Sequence, residues 1–192
     1  MSFEFLQIVE MLQTERENDM TGVMEYTKSE PMLQEFRQEA AITKRVLDRV
    51  PADKLSWKPH PKSMSLGQLS LHLAAVPGAV SGILRQDSFD ASKANFQPQS
   101  PQSLSEVFAT YEQSIRDAEQ FFTEMTDQKA QANWRMTLGD KEILVQPRIS
   151  VARSIILNHW YHHRGQLSVY LRLLDVPVPV IYGRSADESP FG

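Results

Sequence analysis

The feature that most constrains the fold is a histidine-rich stretch, residues 149–175, which contains three of the five histidines in the chain. Two of them, His159 and His163, are four residues apart. At about 3.6 residues per turn, this spacing places both imidazoles on one helix face, close enough to chelate one metal ion. Apolar residues recur with helical period on the same side: Ile155, Ile156, Leu167, Tyr170, Leu171 and Leu174. The pair is therefore predicted to face the core, where a metal ion would satisfy imidazoles that are costly to bury alone.

Three earlier segments are also amphipathic with helical period. The first predicted helix begins at Pro31 and ends before Pro51. The second follows a proline-rich connection and carries His72 within its apolar stripe, and Pro77 predicts a kink in this helix just beyond His72. The third runs over residues 103–122. Four amphipathic helices with one crossover connection predict an all-α fold, a four-helix bundle.

Two stretches interrupt this pattern. Residues 86–102 are predicted to form a loop, and residues 133–146 are predicted to form a short hairpin or an irregular excursion. Residues 1–30 are predicted to be an N-terminal extension with a short helix, and residues 31–192 the bundle domain. The apolar stripes predict a core that includes Leu69, Val76, Phe108, Tyr111, Ile155 and Leu167.

Composition excludes several classes of function. The net charge of -4 gives no electrostatic footprint for nucleic acid or for an anionic membrane surface. The chain has no basic leader followed by an apolar segment and no run of about 18 apolar residues, so we expect a soluble, cytoplasmic protein. Because the chain has no cysteine, disulfides and thiolate ligands are excluded, and any metal must be held by histidine and carboxylate.

Three histidines are candidate metal ligands: His72, His159 and His163. Three neutral imidazoles leave a fourth position open for water or substrate, and zinc, nickel or manganese could accept such a set. A single core histidine such as His72 more often binds a backbone carbonyl, so the pattern alone leaves this alternative open. His162 faces about 100° away from His163, and His60 lies in the proline-rich loop; neither is a predicted ligand.

Metalloprotease chemistry is excluded by one neighbouring residue. Proteases with two helical histidines place a glutamate next to the first as a general base. Trp160 occupies that place here. The chain also lacks the G-x-S-x-G, P-loop and G-x-G-x-x-G patterns.

The chain resembles the DinB/YfiT-like family in register from about residue 32 to residue 188. The H-x-x-x-H-R-G-Q element, with a histidine further upstream, is the most specific part of the resemblance. The matching pieces are SLGQLSLHL (65–73), HWYHHRGQL (159–167), YLR (170–172) and PVIYGRSADE (179–188).

This resemblance implies an up-down-down-up bundle in which His72, His159 and His163 hold a divalent metal ion. Characterised relatives include S-transferases and isomerases that use low-molecular-weight thiols such as bacillithiol and mycothiol, so the resemblance implies a small-molecule substrate and a thiol as co-substrate. A metal lowers the pKa of a bound thiol and so prepares it to attack an electrophile. Two alternatives to a thiol transferase stay open: a metal-dependent hydrolase, and a non-catalytic, metal-stabilised bundle that acts through protein contacts. We also expect a homodimer. Four residues could orient a carboxylated thiol: Arg164, Arg172, Tyr111 and Tyr170.

Overall fold

The computed structural model describes residues 29–189 and residue 191. Residues 1–28 of the predicted N-terminal extension lie outside the described part. The helices are α1 (Glu30–Leu47), α2 (Leu66–Leu84), α3 (Leu104–Thr123), α4 (Asp127–Gln131), α5 (Arg148–Val151) and α6 (His159–Leu173). A π-helical segment, Ala152–Asn158, joins α5 to α6 without a break, and single 3-10 turns lie at Ala52–Lys54 and Ala91–Lys93. The strands are β1 (Ser88–Asp90), β2 (Asn133–Leu138) and β3 (Lys141–Pro147).

The long helices begin and end where the sequence predicts. The Ser65 hydroxyl accepts a hydrogen bond from the Gln68 backbone N–H, and the Gln68 side chain accepts one from the Ser65 N–H. This reciprocal capping box satisfies two backbone donors at the start of α2. The C-terminal end of α1 also agrees with the prediction, because this helix ends at Leu47, before Pro51.

The prediction of an all-α chain needs correction, because the chain is mostly helical but includes a small three-stranded sheet. Strands β2 and β3 are antiparallel and confirm the hairpin predicted within residues 133–146; Gly139 at their turn has φ of +60°, a conformation that favours glycine. Strand β1 lies in the stretch predicted as a loop and pairs in parallel with β2. With only three residues, β1 is too short to show an alternating pattern, and its partner lies far along the chain.

The core fills the space between the long helices. Leu69, Val76, Tyr111 and Leu167 are buried as predicted. Phe108 and Ile155 are only partly buried and pack against the edge of the core. The largest fully buried side chains include Trp134, Trp160, Phe36 and Phe122.

Helix α2 qualifies the expectation that the chain has no apolar segment long enough to cross a membrane. By length and composition it could do so, with a mean hydropathy of 1.2, but half of that window is buried inside the fold. A buried core helix meets the same criterion, and Leu69 and Leu73 of α2 are both buried in the core.

Truncating Leu69 tests the assignment of the core. Its side chain is fully buried, so Leu69→Ala should lower the free energy of unfolding by about 2–5 kcal/mol. Leu138 on β2 is 54% exposed, and Leu138→Ala should change stability by less than about 0.5 kcal/mol. Urea denaturation of both variants measures the difference; equal stability would place Leu69 outside the core.

Candidate metal centre

Three imidazoles meet between α2 and α6. The Nε2 atom of His159 lies 3.2 Å from Nε2 of His72 and 3.1 Å from Nε2 of His163. The potential ligand atoms of all three residues lie within 4.8 Å of one another. The structure therefore brings together the three histidines that the sequence singled out, one from α2 and two from α6.

The spacing of these nitrogens fits a common metal ion. Ligands at about 2.0–2.1 Å from a tetrahedral zinc ion are about 3.3 Å apart. The two Nε2 distances, 3.2 and 3.1 Å, are close to this value. His72 and His159 are thus already close enough across α2 and α6 to share one ion, and the ligand atoms of His72 and His163 lie within 4.8 Å of each other.

The hydrogen-bonding capacity of the three rings also favours a bound cation. Three neutral imidazoles in this arrangement cannot all form good hydrogen bonds with one another. The Nδ1–H of His163 donates to the Gln166 side-chain oxygen at 2.8 Å, which leaves Nε2 of a neutral His163 as an acceptor. His159 Nε2 is then shared between His163 and His72, and a neutral imidazole carries one proton at most on that atom. One of the two close nitrogen contacts therefore lacks a good hydrogen bond, and a bound cation would satisfy all three lone pairs.

Burial favours the neutral, ligating form of each ring. His163 is buried, and burial lowers its pKa to about 4, against the opposite effect of its hydrogen bond with Gln166. Burial is the larger cause that lowers the pKa of His72, and the nearby His159 is the smaller one. For His159, too, burial is the larger cause of a lowered pKa, and the nearby His162 is the smaller one. All three imidazoles are thus held in the form that binds a metal.

Acid should therefore destabilise the metal-free protein. An unfolded chain protonates His163 near its ordinary value of 6.5, whereas the folded chain does so only near 4. Between these values the unfolded state binds more protons, so the free energy of unfolding should fall as pH falls from about 6.5 towards 4. Urea unfolding in a chelator at pH 7 and pH 4.5 measures the drop, which His163→Ala should reduce and His60→Ala should not. An equal drop in all three proteins would contradict the assignment.

The four residues predicted to orient a substrate all have partners within the protein. Arg164 forms an ion pair with Glu39, and Arg172 forms one with Asp187. The Tyr111 hydroxyl donates to the Ala40 carbonyl oxygen, and the Tyr170 hydroxyl donates to that of Met64. These contacts hold helices and the C-terminal segment together, and they do not support a role for the four residues in binding substrate.

The two histidines outside the predicted ligand set stay outside the cluster. His60 is exposed in its loop, where its ring nitrogen accepts from the Lys62 N–H at 3.2 Å. His162 is also exposed, although its ring centroid lies 5.0 Å from that of His163. Neither belongs to the group of potential ligands.

Sequence reasoning missed Gln166 and the acidic residues of α1. Gln166 lies three residues after His163, a helical spacing that could have identified it as the residue that orients this ring. Glu35 accepts from Tyr161, and Glu39 pairs with Arg164. These pairs are more than 120 residues apart in sequence, and no local pattern could have indicated them.

Comparison with known proteins agrees with this fold. The model of the family described as "DinB family" matches residues 23–190. A crystal structure of a DinB-like protein from Bacillus cereus ATCC 10987 is 24% identical, with a TM-score of 0.59, over 78% of this chain and 95% of that chain. Another, of a DinB-like protein (YjoA) from Bacillus subtilis, is 17% identical, with a TM-score of 0.61, over 80% of this chain and 99% of that chain. No curated protein matches the sequence.

Proposed function

The chain belongs to the DinB family, and we propose that it is an enzyme that binds one divalent metal ion and transfers a low-molecular-weight thiol to an electrophile. His72, His159 and His163 hold the ion, which is zinc, nickel or manganese. The observation that carries the proposal is the convergence of three imidazole nitrogens between α2 and α6, with two contacts of 3.1 and 3.2 Å.

The residues of the chain prepare this site in three ways. Burial keeps the imidazoles neutral, Gln166 fixes the orientation of His163, and the half-buried His72 and His159 leave the cluster reachable from solvent. A divalent ion held there lowers the pKa of a thiol or of water and so supplies a nucleophile at neutral pH.

An open ligand position supports catalysis over a purely structural role. Within the described residues, the cluster contains three potential ligands and no carboxylate. Structural sites usually have four protein ligands, whereas catalytic sites keep a position for water or substrate. Because the chain has no cysteine, the thiol must come from a small molecule.

A thiol-consumption assay with metal-loaded protein tests the proposal. We expect loss of free thiol in the presence of an electrophile, and loss of this activity after chelation. Metal-dependent release of product without thiol would favour the hydrolase. Full metal loading with neither activity would favour the non-catalytic bundle.

Three further properties belong to the same proposal. We propose the up-down-down-up helix order, a small-molecule substrate rather than nucleic acid or a membrane, and a cytoplasmic location. The negative net charge supports a small-molecule partner, because it disfavours binding to nucleic acid or to an anionic membrane. The burial of half of the apolar window in α2 is consistent with an aqueous compartment.

We also propose that the protein is a homodimer. Val169 and Leu173 lie four residues apart on α6 and are 56% and 58% exposed, so one helix face presents apolar surface to solvent. Light scattering should give twice the chain mass, and a monomer mass at micromolar concentration would rule out the dimer.

A further inference from the structure

Helix α2 contains a proline that leaves one of its carbonyl groups without the usual partner. In an α-helix the N–H of residue 77 would donate to the carbonyl oxygen of Leu73. Pro77 has no N–H, yet α2 continues through it as far as Leu84. The Leu73 carbonyl, buried in the core, therefore needs a donor from outside its own helix.

Trp160 of α6 supplies that donor. Its indole Nε1–H donates to the Leu73 carbonyl oxygen at 2.8 Å, in a buried hydrogen bond. The tryptophan is 1% exposed, and its ring stacks on Phe36 of α1 with centroids 5.4 Å apart. Because the indole ring is packed in place, the position of its N–H is fixed relative to α2.

This bond lies next to the metal-ligand pair in both helices. Leu73 directly follows His72, and Trp160 directly follows His159. The Trp160–Leu73 bond and the His72–His159 contact thus join the same two turns of α2 and α6. A shift of one helix along the other would break the bond and separate the two Nε2 atoms, which lie 3.2 Å apart.

We propose that Pro77 and Trp160 form an interhelical latch that sets the distance between His72 and His159, which makes Trp160 a positioning residue for the metal centre. This inference rests on the proposed metal binding. The proline exposes the carbonyl, the tryptophan binds it, and the bond fixes the register in which imidazoles from two helices converge.

A second contact holds α2 on its other side. The Gly78 N–H donates to the Ser114 hydroxyl of α3 at 2.7 Å, and that hydroxyl also contacts the Ala75 carbonyl oxygen at 3.3 Å. A Cβ atom at Gly78 would lie 2.7 Å from Ser114 Cα, so the close approach of α2 to α3 requires glycine here. The turn around Pro77 is therefore anchored to α3 as well as to α6.

Cobalt(II) binding to a Trp160→Phe variant tests the latch. Phenylalanine keeps an aromatic ring on Phe36 but removes the donor. We expect about 10-fold weaker binding of Co²⁺ and an altered visible spectrum, as for other residues that orient metal ligands. Trp134→Phe is the matched control, because Trp134 is a buried tryptophan whose Nε1 has no hydrogen-bond partner in the described part of the chain. It should bind Co²⁺ as the wild type does.

A second substitution separates positioning from stability. Pro77→Ala restores an N–H that can satisfy Leu73 from within α2. In the Pro77→Ala, Trp160→Phe double variant, the midpoint of urea unfolding should recover relative to Trp160→Phe, while the Co²⁺ affinity stays reduced. Recovery of both, or wild-type affinity in Trp160→Phe, would overturn the latch. Failure of the wild type to bind Co²⁺ would instead overturn the proposed metal site on which the latch depends.

Discussion

The His159→Ala, His163→Ala double variant is expected to lose metal binding almost completely. Both residues lie on α6, and their removal leaves His72 as the single imidazole of the cluster. Loss of a residue that merely orients a ligand costs about 10–100-fold in metal affinity, so the loss of two ligands should cost more than about 100-fold. Metal analysis after equilibrium dialysis should find about one ion per wild-type chain and almost none in the variant.

A second double variant controls for the loss of two imidazoles. His60 and His162 lie outside the cluster, so the His60→Ala, His162→Ala variant should retain about one ion per chain. Equal metal content in the wild type and the His159→Ala, His163→Ala variant would rule out the site.

Removal of the Glu39 carboxylate is expected to destabilise the fold strongly. The Arg164 side chain is 1% exposed, and its guanidinium forms a 2.6 Å ion pair with Glu39. The guanidinium also donates to Thr43 and to the Glu39 backbone carbonyl oxygen. The Tyr182 hydroxyl donates to the same carboxylate at 2.8 Å.

The cost of Glu39→Ala follows from the charge that it leaves behind. An unpaired guanidinium in the core is far more costly than the same group in water, so the free energy of unfolding should fall by about 3–5 kcal/mol. Glu119 offers a matched control, because it pairs with Arg37 at an exposed site. Glu119→Ala should cost less than about 1 kcal/mol. If urea denaturation gave similar losses for the two variants, Arg164 would not depend on Glu39 for its burial.

The histidine cluster was predictable because its strongest signal is local. The four-residue spacing of His159 and His163 determines a common helix face, and the position of His72 in an apolar stripe directs its ring towards the core. What the sequence did not indicate is the hydrogen bond that joins α2 to α6 beside the cluster. In that bond the indole N–H of Trp160 donates to the carbonyl oxygen of Leu73, 87 residues away in the chain.

The π-helical segment explains why Ile155 lies at the edge of the core rather than inside it. A constant period of 3.6 residues placed Ile155 on the same face as the histidine pair. Residues Ala152–Asn158 form a wider helix, which changes the angle between successive side chains, so Ile156 and Leu157 are buried and Ile155 lies at the edge. Strand β1 was missed for a different reason, because its pairing with β2 joins segments more than 40 residues apart.

X-ray absorption spectroscopy of the zinc-loaded protein tests the proposed centre most directly. The fine structure at the zinc edge counts the ligand atoms and identifies imidazole rings. We predict three imidazole nitrogens at about 2.0–2.1 Å and one further light ligand atom from solvent or substrate. A zinc ion surrounded by carboxylate and water oxygens, or by fewer than three imidazoles, would contradict a centre built from His72, His159 and His163.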